Sequence, residues 1–157
     1  LEMARRVGPT GRVYSTELDP GRLAAIRAAV SREQLANVTV VEAGERSTNL
    51  PEACCEAIFM RDVYHHFSNP REIARSLFAA LKPGGRLAVI DFEPRSASPG
   101  PGGVPASREG HGIRPDAIAG EITSAGLLQA GTVMDWLEDR PRQNRRLFLV
   151  LFRKPQP

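Results

Sequence analysis

The sequence predicts an α/β fold of βαβ units on a mostly parallel sheet, closed by a C-terminal antiparallel hairpin. Three observations carry that reading. Arg12-Val-Tyr-Ser-Thr-Glu17 is a β-branched run that ends in a carboxylate and passes at once into a helix start. Further apolar strands and amphipathic helices then alternate at spacings of about 10–15 residues, the pattern of parallel strands joined by crossover helices. Last, Thr132–Trp136 and Leu147–Phe152 are strand-like runs whose polar connection, Glu138–Asn144, is too short for a crossover, which makes them antiparallel.

Taken in order, residues 1–7 read as the end of a helix and Gly8-Pro-Thr-Gly11 as a turn. The strand Arg12–Glu17 follows. Asp19 is an N-cap with Pro20 at the first helical position, and Leu23, Ile26 and Val30 give that helix one apolar face. Val38–Val41 is a β-branched strand and Glu42–Pro51 a loop. Ala57–Met60 is a continuous apolar run, as in a strand covered on both faces. Asn69-Pro-Arg-Glu72 is a second helix start with the spacing of a capping box, and Ile73, Leu77 and Leu81 form the stripe behind it. Lys82-Pro-Gly-Gly85 stops that helix, and Leu87–Ile90 is a buried strand ending in Asp91. Pro115–Ala125 reads as a helix closed by Gly126, and Arg153–Pro157 as a frayed tail.

Composition narrows the class. The chain has 157 residues, 41% of them hydrophobic and 25% charged, which suits one soluble domain with a sizeable core. No apolar run approaches the ~20 residues of a membrane span, and Leu1–Arg6 holds no apolar core of a signal peptide. The net charge of +3 is small and its arginines are spread along the chain, with only the arginine pairs Arg5-Arg6 and Arg145-Arg146 adjacent, so no nucleic-acid stripe is expected. Cys54 and Cys55 are neighbours and staple nothing distant. With no CxxC spacing, neither a disulfide framework nor a structural zinc site is predicted, and a reducing, cytoplasmic setting is expected. Pro94–Gly112 turns to Ser, Pro, Gly and Arg. It reads as a flexible loop beyond a strand end, either a substrate element or an insertion without function.

A carboxylate at the C-terminal tip of a parallel strand is where nucleotide-binding α/β folds grip ribose hydroxyls. With Glu17 stand the Val38–Pro51 segment, the Ile58–Phe67 segment and Leu81-Lys-Pro-Gly-Gly-Arg-Leu-Ala-Val-Ile90. Together, in this order and spacing, they resemble the class I S-adenosylmethionine-dependent methyltransferases. The resemblance covers nearly the whole chain and implies a Rossmann-like three-layer sandwich, one domain over residues 1–157, and S-adenosylmethionine as cofactor. By resemblance Glu17 binds both ribose hydroxyls, a charge-assisted bidentate contact, and Leu18 packs on an adenine face. The family commonly carries Gly-Asp after its third strand. Here Ala43-Gly44 aligns with it and Glu45 comes one place later, so either Glu45 or the backbone meets the adenine amino group. Arg61 and Asp62 fall beside the methionine portion.

Tyr64, His65 and His66 follow on the acceptor side. A histidine there serves as general base in one reading, since its ordinary pKa is near neutrality, and packs locally in the other. No catalytic residue is assigned. No metal site is expected, because neighbouring histidines usually point apart and His111 stands alone.

The family's first strand and glycine-rich loop find no counterpart. Such a loop normally lies about 20 residues before the ribose acid, and only 16 residues precede Glu17. An N-terminally truncated domain is therefore expected, with the family's central strand missing from its 3-2-1-4-5-7-6 order. Cofactor binding by this chain is expected to be weak or absent, and unpaired strand edges leave self-association open. The expected activity is methyl transfer to a small-molecule acceptor, with no nucleic-acid or membrane partner. A non-catalytic, degenerate domain or gene fragment is the alternative. A nicotinamide-dependent oxidoreductase is a further alternative, and Lys82–Gly85 and the hairpin speak against it.

Overall fold

Val13–Glu17 (β1) and Val38–Glu42 (β2) form a two-stranded parallel sheet, in register from Val13 opposite Val38 to Glu17 opposite Glu42. The computed structural model describes residues 1–94, 99–104, 110–136 and 146–156. The connecting helix Pro20–Arg32 (α2) starts as its residues dictate: Asp19 accepts from the Arg22 amide at 2.7 Å, ahead of Pro20. Leu23 is buried and Ile26 and Val30 half-buried, the stripe that the spacing predicts. A short helix Glu2–Val7 (α1) precedes β1, and the Asn37 amide donates to the carbonyls of Ala4 and Gly8 at its end. Residues Leu1–Leu50 make up this first unit.

The second unit, Pro51–Pro157, is a four-stranded sheet in the order β3-β4-β6-β5. Cys55–Arg61 (β3) runs parallel to Leu81–Phe92 (β4). Leu147–Arg153 (β6) is antiparallel both to β4 and to Leu128–Val133 (β5). Pro70–Ala80 (α3) and Pro115–Thr123 (α4) pack on one face. There Ile73, Leu77, Leu87, Val89, Ile118, Ile122, Phe148, Val150 and Phe152 form a single buried cluster. Parallel pairs joined through helices, together with an antiparallel C-terminal hairpin, are the Rossmann-like arrangement expected. No described helix is long and apolar enough to cross a membrane.

Several local expectations are revised. Lys82–Gly85 is absorbed into β4 as an irregularity: Cys55 pairs with Leu81, but Ala57 already pairs with Arg86. A Cβ on Gly85 would lie 2.8 Å from the Lys82 carbonyl and 3.2 Å from that of Cys55, so this tight passage requires glycine. β3 is covered on one face only, with Ile58 and Met60 half-buried and Phe59 55% exposed. Asn69 makes no side-chain cap to α3. Its amide turns to the Ser68 hydroxyl instead. β5 starts at Leu128, before the expected Thr132, because β6 reaches Arg153 and offers partners that far. It ends at Val133, and Asp135 is left-handed with φ 54°.

Cys54 and Cys55 are joined as a vicinal disulfide, which closes no loop between distant segments. The expected connection Glu138–Asn144 and part of the Pro94–Gly112 loop lie outside the described residues.

The tail is not frayed at Lys154. Its amide donates to the Gly85 carbonyl, and its Nζ donates to the carbonyls of Phe78 and Leu81 at 2.8 Å each, over the Phe78 ring. Those carbonyls belong to the last turn of α3 and the residue after it, where a cation meets groups left over by the helix. Lys154→Met keeps the stem and removes the donors. It is expected to lower stability by about 1–2 kcal/mol, read as a lower urea midpoint in Trp136 fluorescence.

Candidate functional site

At the C-terminal end of β1, the Glu17 side chain folds back on its own backbone. Its Oε1 accepts from the amides of Leu18 at 2.7 Å and Asp19 at 2.9 Å. One carboxylate oxygen is thereby immobilised, and Oε2 has no partner among the described residues. Leu18 is 51% exposed, an apolar side chain free to cover a planar ligand. The parallel register sets Glu17 beside Glu42, and the Ala43 amide bonds to the Glu17 carbonyl, so the chain leaves both strands at one edge. Gly44 then opens a tight turn, its amide bonded to the Ser47 carbonyl at 2.8 Å, with Glu45 exposed on it. The structure thus gathers Glu17, Leu18, Gly44 and Glu45 at one end of the first unit.

Arg61 and Asp62 stand at the corresponding end of β3 in the second unit. Asp62 is left-handed, with φ 53°, and its amide donates to the Ile90 carbonyl. Its Oδ2 lies 3.5 Å from the Arg61 Nε, and its Oδ1 is buried without a hydrogen-bond partner. A buried acceptor left unmet costs roughly 1–3 kcal/mol.

The residues after Asp62 hold the arrangement that the sequence concealed. Tyr64–His66 is a 3-10 turn that buries Tyr64 and His65. Asp91, fully buried on β4, accepts from the His65 Nδ1 at 2.7 Å, from the His65 amide at 3.2 Å and from the Phe92 amide at 2.9 Å. That carboxylate selects the Nδ1-protonated tautomer of His65 and turns Nε2 outward, where it lies 3.2 Å from the His111 Nε2. Adjacent histidines do not diverge here: the rings of His65 and His66 are 4.1 Å apart. His111 is held in place by its neighbours. Gly112 has φ +124°, and a Cβ there would lie 2.8 Å from the Glu93 carbonyl, while the Ile113 amide bonds to the Phe92 carbonyl. The histidines are 46 residues apart in sequence, and the Gly-His-Gly triplet in a Pro/Gly-rich loop was the one local hint.

A family model described as a methyltransferase domain matches residues 1–89. The chain belongs to that family. Among curated relatives, the ubiquinone/menaquinone biosynthesis C-methyltransferase UbiE of Pasteurella multocida is 29% identical over 97 residues, covering 58% of this chain and 34% of that protein. Its counterpart from Enterobacter sp. (strain 638) is likewise 29% identical, with 37% of its length covered. The chain thus spans little more than a third of the curated relatives it matches. Among solved structures, a SAM-dependent methyltransferase from Aquifex aeolicus is similar with a TM-score of 0.74 at 23% identity, covering 97% of this chain and 73% of that one. The [4+2]-cyclase SpnF is similar at 0.75 and 14% identity, covering 99% and 71%. These likenesses establish the class I Rossmann-like fold, on which more than one chemistry is built.

S-adenosylmethionine is the methyl donor of this family. In the first unit, an immobilised carboxylate and an exposed leucine suit such a ligand in chemistry. Two stability measurements check the geometry. Asp91→Ala strands three buried N–H donors and is expected to cost about 3–5 kcal/mol in urea denaturation. At Gly44 an added Cβ comes no nearer than 3.8 Å to the Ser47 carbonyl. Gly44→Ala is therefore expected to change stability by no more than about 0.5 kcal/mol by calorimetry.

Proposed function

We propose that this chain takes part in methyl transfer from S-adenosylmethionine to a small-molecule acceptor. The observation that carries the proposal is the Glu17 carboxylate, held through Oε1 by two backbone amides at a parallel strand's C-terminal end, with no partner for Oε2 among the described residues. A vicinal pair of ribose hydroxyls is the matching donor set. Leu18 would cover one adenine face, and Glu45 or the backbone at Gly44 would meet the adenine amino group. By the family resemblance, Arg61 and Asp62 would fall beside the methionine portion.

The bound donor supplies an electrophilic methyl on a sulfonium sulfur. What the protein must add is alignment of donor and acceptor, which by itself supplies a large share of such a rate enhancement. The relatives' names point to carbon as a methylated atom, and a small organic acceptor is the class this reading takes for the present chain. Its setting would be the cytoplasm.

Titration calorimetry with S-adenosylhomocysteine tests the reading. Weak binding is expected, reduced about a further 10- to 100-fold in Glu17→Ala, as for loss of a charge-assisted pair of hydrogen bonds. NAD serves as the control and is expected not to compete. A folded chain that binds no S-adenosylhomocysteine would leave the alternative, a methyltransferase-like domain without activity of its own.

A further inference from the structure

We propose that His65, His66 and His111 form a binding site for a divalent transition metal of the zinc class, with Asp91 as the carboxylate that braces it. The ligand atoms of the three side chains lie within 4.8 Å of one another. Tetrahedral coordination at about 2.05 Å per nitrogen sets neighbouring donors about 3.3 Å apart, and the His65 and His111 Nε2 atoms are separated by 3.2 Å. His66 is exposed, on the last residue of the 3-10 turn, and its ligand atom lies within the same 4.8 Å.

The second observation is what stands behind the ligands. A metal-bound histidine characteristically donates its other ring nitrogen to a carboxylate, which sets the tautomer and raises the ligand's basicity. His65 makes this contact to Asp91 at 2.7 Å, with both side chains at 2% exposure or less. Asp91 is itself held by the amides of His65 and Phe92. The carboxylate thus leaves the lone pair on Nε2 directed at His111, and its negative charge partly offsets that of a bound cation. A three-nitrogen set favours zinc, cobalt, nickel or copper over magnesium and calcium, which prefer oxygen. Because His66 is exposed and His111 half-exposed, the fourth position opens to solvent and takes water or an oxygen donor.

The site is built wholly within the second unit, and its test requires neither methyl donor nor acceptor. The full chain is titrated with zinc by calorimetry and with cobalt(II) by visible absorption. The expected result is one equivalent bound, with a cobalt spectrum of nitrogen ligation and no thiolate charge-transfer band. His111→Ala and His66→Ala, at positions that are not fully buried, are each expected to weaken binding at least tenfold while leaving the thermal unfolding curve in place. Asp91→Asn, where it folds, is expected to weaken binding about 10- to 100-fold. Absence of binding by the folded chain would overturn the proposal, as would stoichiometric binding that His111→Ala leaves unchanged.

Discussion

The second unit depends on β4 being paired along both edges at once. A strand in the middle of a sheet must satisfy amides and carbonyls on either side, and β4 does so with a parallel neighbour and an antiparallel one. Leu87 and Val89 point into the helical layer beside Phe152 and Val150 of β6, so the strand that organises the hydrogen bonds also centres the core. Lys154 extends this order past the end of β6 by bonding at Gly85 and at the end of α3. The glycines of Lys82–Gly85 accommodate the irregular start of β4 straight after α3, before the regular ladder resumes at Arg86.

The same strand delivers a charge into that core. Asp91 follows Val89 on the helix-facing side and is fully buried. An ionised carboxylate in such a place needs several donors, because little water reaches it. Two backbone amides and one imidazole meet that need, and in doing so they fix the His65 ring. Gly112 brings His111 to the far nitrogen of that ring. A requirement of burial thereby becomes an arrangement able to do chemistry.

The first unit brings its strand-end residues together by a simpler route. Parallel strands finish at the same edge, so the residues just beyond β1 and β2 converge whatever their side chains are. Glu17, Leu18, Gly44 and Glu45 share that edge for this reason. Glu17 differs from an ordinary strand-end charge because its own following amides restrain it, and a restrained acceptor loses less freedom on binding.

The sequence by itself determined the elements whose signals are local. Asp19-Pro20 started α2, β-branched runs marked β1 and β2, and a connection too short for a crossover made β5 and β6 antiparallel. The strand-end acid Glu17 and the Lys82–Gly85 segment made the family legible too, because both depend on residue type and short-range order. Tertiary structure alone decided where β5 starts, since its length is set by how far β6 extends and Gly131 weakens the local signal. It also decided that Asn69 caps nothing, that Phe59 is exposed and that Lys154 is tied down. Above all it decided that His65, Asp91 and His111 meet. Their separations of 26 and 46 residues carry no periodicity, and only the pairing of β4 and the turn at Gly112 bring them together.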